Sequence, residues 1–246
     1  MPYNNEFFDE LAIGAKKSAN ILVPIVYEKL KPKSVLDVGC GIGSWLKVWS
    51  EFNVDIFGVD GEWVKEESLD IAKDKFKHVD LEKDFDLETK FDLVTTLEVA
   101  EHIHEENASQ FVKSLVKHSD IILFSAAIPL QGGTDHFNEQ WPPYWINLFK
   151  NEGYDLLDPF RYLIWNEEDI KDHYKQNTIL VVKESAINGN SFFEEERKYA
   201  KRSLVSVVHP NKFIKIKDLH YRSLKQELPV FIKLFTNFLR NTLKIK

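Results

Sequence analysis

The chain is 246 residues long, enough for one domain with extensions and a sizeable core, and its one cysteine, Cys40, excludes an intrachain disulfide. Asp and Glu outnumber Lys and Arg by 39 to 32, a net charge of −7. The imbalance is uneven: residues 1–190 hold 34 acidic against 19 basic groups and residues 191–246 hold 5 against 13, so the body is too acidic for a nucleic-acid partner, whose phosphates call for clustered Lys and Arg.

The first informative segment is an apolar strand at Val35–Val38 that runs into Gly39-Cys40-Gly41-Ile42-Gly43-Ser44. Three glycines at alternate positions let the backbone turn sharply and approach a ligand closely. Asp37, just ahead of them, suits a ligand with a cationic amino group and would repel the pyrophosphate of a dinucleotide. The third glycine also comes one residue too early for a Gly-x-Gly-x-x-Gly dinucleotide turn. S-adenosylmethionine is therefore the expected cofactor. Cys40, inside this loop, reads as a small packing residue.

A second strand, Asp55–Asp60, ends in an acid where an α/β sheet places a carboxylate for two ribose hydroxyls. A third, Phe76–Leu81, carries Asp80 for the adenine amine and Leu81 for its ring, with Trp63 either a second ring contact or a core or lid aromatic. Phe91–Glu98 is a fourth strand. Ala108, Phe111, Val112, Leu115 and Val116 follow at helical spacing, and Asp120–Pro129 is a fifth strand, apolar enough for burial on both faces. Tyr154–Leu157 and Thr178–Val182 complete seven. The expected fold is α/β: a Rossmann-like, seven-stranded, mainly parallel sheet with helices on both faces, plus a helical C-terminal extension. The expected boundaries are 1–185, with an N-terminal helical segment, and 186–246.

Taken together, Leu36-Asp37-Val38-Gly39-Cys40-Gly41-Ile42-Gly43, Asp60, Asp80-Leu81 and Leu97-Glu98-Val99-Ala100-Glu101-His102-Ile103 resemble the class I S-adenosylmethionine-dependent methyltransferases over about residues 20–185. The resemblance implies a cofactor site of Asp37, Gly39, Gly41, Asp60, Asp80, Leu81 and Glu98. Gly132–Pro142 and Tyr174-Lys175-Gln176-Asn177 further resemble a bacterial subgroup associated with surface-polysaccharide (capsule) assembly. That implies O-methylation of a small-molecule or nucleotide-activated precursor, at a sugar hydroxyl or at a phosphate-type oxygen such as that of a phosphoramidate. The alternative is a non-catalytic scaffold that keeps the fold.

The acceptor chemistry decides which further residues matter. A hydroxyl loses its proton on methylation and calls for a base; His102, after the fourth strand, and His136, in a glycine-hinged loop, are the candidates. Asp135, Asn138 and Glu139 in that loop, with Tyr174 and Gln176 before the last strand, are the candidate acceptor contacts. An anionic oxygen calls instead for counter-charge, and Arg161 is the candidate clamp. The acids and histidines of Glu98–Glu106 read as a solvated helix N-terminus, and no metal is expected.

Met1–Glu6 lacks the basic flank of a secretory leader, and no apolar run approaches the ~20 residues that span a bilayer. A cytoplasmic location is expected. In the basic tail, Val230, Phe231, Leu234, Phe235, Phe238 and Leu239 recur at helical spacing among Lys and Arg. Such a helix fits docking on the domain, a homo-oligomer contact, or peripheral contact with an anionic inner-membrane surface.

Overall fold

The computed structural model describes residues 5–214 and Leu228. The chain divides into two compact units, Met1–Val207 and Val208–Lys246. In the second, residues 210–214 are helical, and the apolar stripe expected at Val230–Leu239 lies outside the described residues. No described helix is long and apolar enough to cross a membrane.

The first unit opens with α1 (Asn5–Leu30), β1 (Ser34–Val38), α2 (Ser44–Ser50), β2 (Asp55–Asp60) and β3 (Phe76–His78). It continues through β4 (Leu93–Leu97), α3 (Ala108–His118), β5 (Ile121–Ser125), α4 (Pro142–Asn151) and β6 (Tyr154–Leu157). It closes with α5 (Arg161–Ile164), α6 (Asp172–Asn177), β7 (Ile179–Lys183), α7 (Glu184–Ile187) and α8 (Ser191–Ala200). The seven strands lie in the order β3-β2-β1-β4-β5-β7-β6. β7 runs antiparallel to both its neighbours, and the other pairings are parallel.

Alternation along each strand builds two cores. Val35, Ile56, Leu93, Leu123 and Leu180 point to one face, where Leu22 and Val26 of α1 and Leu46 and Trp49 of α2 cover them. Leu36, Val59, Val94, Ile122 and Val181 point to the other, under Phe111 and Leu115 of α3 and Trp145 and Phe149 of α4. The expected three-layer α/β/α fold is what forms.

Two boundaries differ from the sequence reading. β3 stops at His78, because Asp80 turns the chain by accepting the Glu82 N–H at 3.1 Å. The first unit extends past residue 185 to Val207, because Ile187 and Phe193 are buried in its core and the Asn190 side chain caps α8 by accepting the Phe193 N–H. The sheet reverses its winding between β1 and β4, the place where doubly wound folds bind ligands beyond the carboxyl ends of their strands. Asp37, Asp60 and Glu98 all sit at those ends.

Candidate active site

The glycine loop after β1 is fixed by its neighbours in the chain fold. The amides of Gly39 and Cys40 both donate to the Val59 carbonyl, at 2.8 and 3.2 Å, and the Gly41 amide donates to Asp60 Oδ2 at 2.6 Å. Gly39 has φ +78, and a Cβ there would lie 2.4 Å from Val99 Cγ2, so only glycine fits against the β4 loop. Gly41 has φ +54, and a Cβ would meet nothing within 4 Å. The loop is thus closed on its protein side and open over Gly41, the shape of a ligand cradle. The Cys40 thiol is buried, and burial pushes it well above its ordinary range, which agrees with a packing role.

Asp37 and Asp60 flank the cradle. Asp37 pairs in register with Thr95 of β4, whose hydroxyl donates to Asp37 Oδ1 at 2.6 Å. Burial raises the Asp37 carboxyl to about 7; the Thr95 hydrogen bond opposes the rise and the nearby Asp60 charge adds to it. Burial likewise raises Asp60 to about 6, although the Gly41 and Gly61 amides and the Trp63 side chain donate to it. Two buried acids with no lysine or arginine among their causes of shift form a site short of positive charge. A bound group with a cationic amine and ribose hydroxyls would supply what both lack, so these residues fit S-adenosylmethionine. Trp63 stands beside Gly61 with more than half of its surface exposed, placed as an open wall of the cradle and not as a core aromatic.

Glu98 follows β4 in the left-handed region, φ +58, a conformation that costs a non-glycine residue about 1 kcal/mol or more. Its amide is held there by the Ser125 carbonyl and hydroxyl, each at 3.0 Å. Its carboxylate takes Gln131 Nε2 at 2.6 Å and Asn177 Nδ2 at 3.0 Å, and Asn177 also donates to Gln131 Oε1. This network joins the β4 loop, the loop after β5 and the end of α6, and it fixes the Glu98 side chain next to the cradle.

The next turn carries the acceptor-side chemistry. Residues Ala100–His102 form a 3-10 turn, and α3 starts only at Ala108. Glu101 is fully buried with both carboxylate oxygens lacking a hydrogen-bond partner; burial, and after it the Glu98 charge, holds it well above the carboxylate range. Such a group costs about 1–3 kcal/mol, and it does not belong to the solvated helix start read from the sequence. The Glu101 carbonyl accepts the amides of Phe137 and Asn138, which brings the loop at 131–140 over the turn.

In that loop His136 Nδ1 lies 3.0 Å from Glu139 Oε1, and Glu139 is itself held by the amides of Leu130 and Gly132. His102 Nδ1 lies 3.0 Å from the Asp135 carbonyl. An acceptor opposite each Nδ1 makes that nitrogen the protonated one and leaves each Nε2 with a free lone pair. The two rings meet edge to face at 4.9 Å. Burial, and then His136, lowers the His102 pKa, so that ring is neutral at pH 7. A Cβ on Gly133 would sit 2.1 Å from His136 Nε2; glycine there leaves room for the ring.

The acceptor contacts expected from sequence divide. Asp135 is exposed and contributes its carbonyl, Glu139 orients His136, and Asn138 is buried and accepts from Gln140. Arg161 is not a substrate clamp: it is buried and forked onto Asp158, and its remaining N–H groups donate to the carbonyls of Gln176, Leu204 and Val205. Tyr174 is a core residue packed edge-on against Trp45 at 5.1 Å. Gln176 is buried, with its amide on Asn177 Oδ1. Both act behind the site. On the adenine side, Leu81 is half-buried and Asp80 is exposed and paired with Lys83 at 2.9 Å.

Sequence reasoning missed Thr95, Gln131, Asn177 as the Glu98 anchor, and the burial of Glu101. Thr95 carried a signal, a hydroxyl in an apolar strand buried on both faces. Gln131, Asn177 and Glu101 sit in polar stretches where periodicity distinguishes nothing.

Comparison with curated protein sequences gives no match. Among solved structures, the chain is similar to magnesium protoporphyrin IX methyltransferase from Synechocystis PCC 6803, at 19% identity and TM-score 0.53 over 74% of this chain and 90% of that one. It is similar to the methyltransferase domain of bacterial CtHen1-C at 19% identity and TM-score 0.50, over 68% and 96% of the two chains. A glycopeptide N-methyltransferase, MtfA, aligns at 12% identity and TM-score 0.50, over 68% and 92%. At these identities the likeness concerns the fold. The sequence model of the methyltransferase domain matches residues 17–145, more than half of the chain, and the protein belongs to that family of methyltransferases.

Proposed function

We propose that this methyltransferase moves the methyl group of S-adenosylmethionine to a hydroxyl oxygen of a small-molecule or nucleotide-activated precursor of a bacterial surface polysaccharide. The observation that carries the cofactor is the pair of buried, cation-starved acids at an open glycine loop: Asp37 toward the amino group and Asp60 toward the ribose. The same fold holds S-adenosylhomocysteine in the Synechocystis relative. When bound, the cofactor supplies a methyl on a sulfonium, a leaving group that needs no acid. What remains for the protein is alignment, exclusion of water and disposal of the acceptor's proton.

His102 and His136 serve that last need, each with an unprotonated Nε2 at the surface where the 131–140 loop meets the β4 turn. The two segments that resemble polysaccharide-pathway enzymes, Gly132–Pro142 and Tyr174–Asn177, flank Glu98, where Gln131 and Asn177 both bind it. That supports one acceptor site built from both. Among acceptor classes, the engagement of Arg161 with Asp158 favours a neutral hydroxyl over a phosphate-type oxygen. The acidic body likewise favours a small acceptor over nucleic acid.

An acceptor screen tests this reading: nucleotide-activated sugars against nucleotide-linked phosphoramidates, with methylated product read by mass. Methylation of a sugar hydroxyl is expected, lowered in His102→Gln and His136→Gln proteins that remain folded. Full activity in both variants would remove the base role, and exclusive phosphoramidate methylation would overturn the hydroxyl preference. Cofactor binding by a protein that methylates nothing in the screen would favour the scaffold reading.

A further inference from the structure

We infer that Glu101, His102 and His136 form a binding site for a divalent first-row transition ion that holds the acceptor's oxygen. Their ligand atoms all lie within 4.8 Å of one another, and among the described residues no other group of three His, Cys, Asp or Glu side chains meets this closeness. Ligands around an ion at 2.0–2.2 Å stand about 3.0–3.4 Å apart, so rotations of the two rings, which Gly133 leaves room for, bring the set together.

Three independent features point to an ion and not to chance proximity. Glu101 is fully buried with both oxygens unpartnered, a state that a cation relieves directly. His136 donates Nδ1–H to the Glu139 carboxylate, the outer partner that typically orients a metal-bound histidine, and His102 donates to the Asp135 carbonyl; both leave Nε2 as the ligand atom. Glu139 is tied in turn to the Leu130 and Gly132 amides, so the outer shell is rigid. Two imidazole nitrogens and one carboxylate oxygen suit Mn2+, Co2+ or Zn2+ better than calcium, which prefers an all-oxygen shell.

Three protein ligands leave coordination positions open. An acceptor with two adjacent hydroxyls fits them as a chelate, and the ion lowers the pKa of a bound hydroxyl. The histidines would then act on the acceptor through the ion and not as free bases. This role for the ion rests on the methyltransferase reading above; the site itself does not.

The full-length protein, stripped with a chelator and dialysed, is titrated separately with Mn2+, Co2+ and Zn2+ by calorimetry. The Co2+ samples are also read by visible absorption for nitrogen ligation. One equivalent bound is expected, weakened at least about 100-fold in His102→Gln, His136→Gln and Glu101→Gln and about 10- to 100-fold in Glu139→Gln. Thermal melting checks each variant, and if the buried Glu101→Gln fails to fold, the loop variants His136→Gln and Glu139→Gln decide. No saturable binding of any of the three ions, or binding that the variants leave unchanged, overturns the site. S-adenosylmethionine titrated into the same samples separates the readings: ion binding without cofactor binding keeps the metal site and removes the methyltransferase role, and the converse removes the metal site alone.

Discussion

Replacing Asp37 by Asn isolates the charge that the cofactor is expected to meet. Asn has the same shape and still accepts from the Thr95 hydroxyl that now donates at 2.6 Å. In the folded, ligand-free protein burial raises Asp37 from 3.8 to about 7, so between those values the folded state binds a proton that the unfolded chain has released. The stability this group contributes is therefore complete below pH 3.8 and lost as pH rises through about 7. A shift of that size corresponds to a loss on the order of 4 kcal/mol at pH 8. Urea unfolding of both proteins from pH 5 to pH 8 reads it: the wild type should lose stability relative to Asp37→Asn, and the variant should be the more stable at the alkaline end. Asp60 is common to both proteins and cancels to first order. At pH 8 the same variant should bind S-adenosylmethionine more weakly, because the negative charge facing its amino group is gone. Parallel pH profiles with unchanged cofactor affinity would refute the reasoning.

Asp60→Ala leaves the Gly41 and Gly61 amides without their acceptor, so calorimetry should show cofactor affinity reduced at least tenfold, about 1.4 kcal/mol or more. Gly41→Ala places a methyl where nothing lies within 4 Å but at φ +54; melting should show a loss of about 1–2 kcal/mol, with a much larger loss of cofactor binding. Gly39→Ala, whose Cβ would lie 2.4 Å from Val99, should instead impair folding itself. Arg161→Gln strands the buried Asp158 carboxylate and three carbonyls and should cost about 3–5 kcal/mol in urea unfolding; kinetics of the folded fraction should show no selective rise in acceptor KM.

The cofactor half of the site was legible in the sequence because it follows from strand ends. Asp37 and Asp60 close β1 and β2, and the glycine spacing sets the loop between β1 and α2, so one dimension of the chain maps directly onto the cradle. The acceptor half was not, because it depends on which long-range partner each polar group finds. Arg161 reads equally as a phosphate clamp or as a structural cation until Asp158 and three distant carbonyls surround it. Glu101 reads as a solvated acid until two loops fold over it. Tyr174 and Gln176 precede a strand as ligand-contact residues do, yet α6 turns both inward, where Trp45 and Asn177 take them. The end of the first unit was missed for a similar reason: α8 is polar in most of its sequence, and Phe193 and Ala200 alone bury it.

The most direct test of the account is a calorimetric titration of the folded, full-length protein with S-adenosylmethionine and S-adenosylhomocysteine, alongside Asp37→Asn and Asp60→Ala. The account predicts one cofactor bound per chain with micromolar affinity, weakened in both variants. A folded wild type that binds neither compound, or variants that bind them as tightly as the wild type, would contradict it.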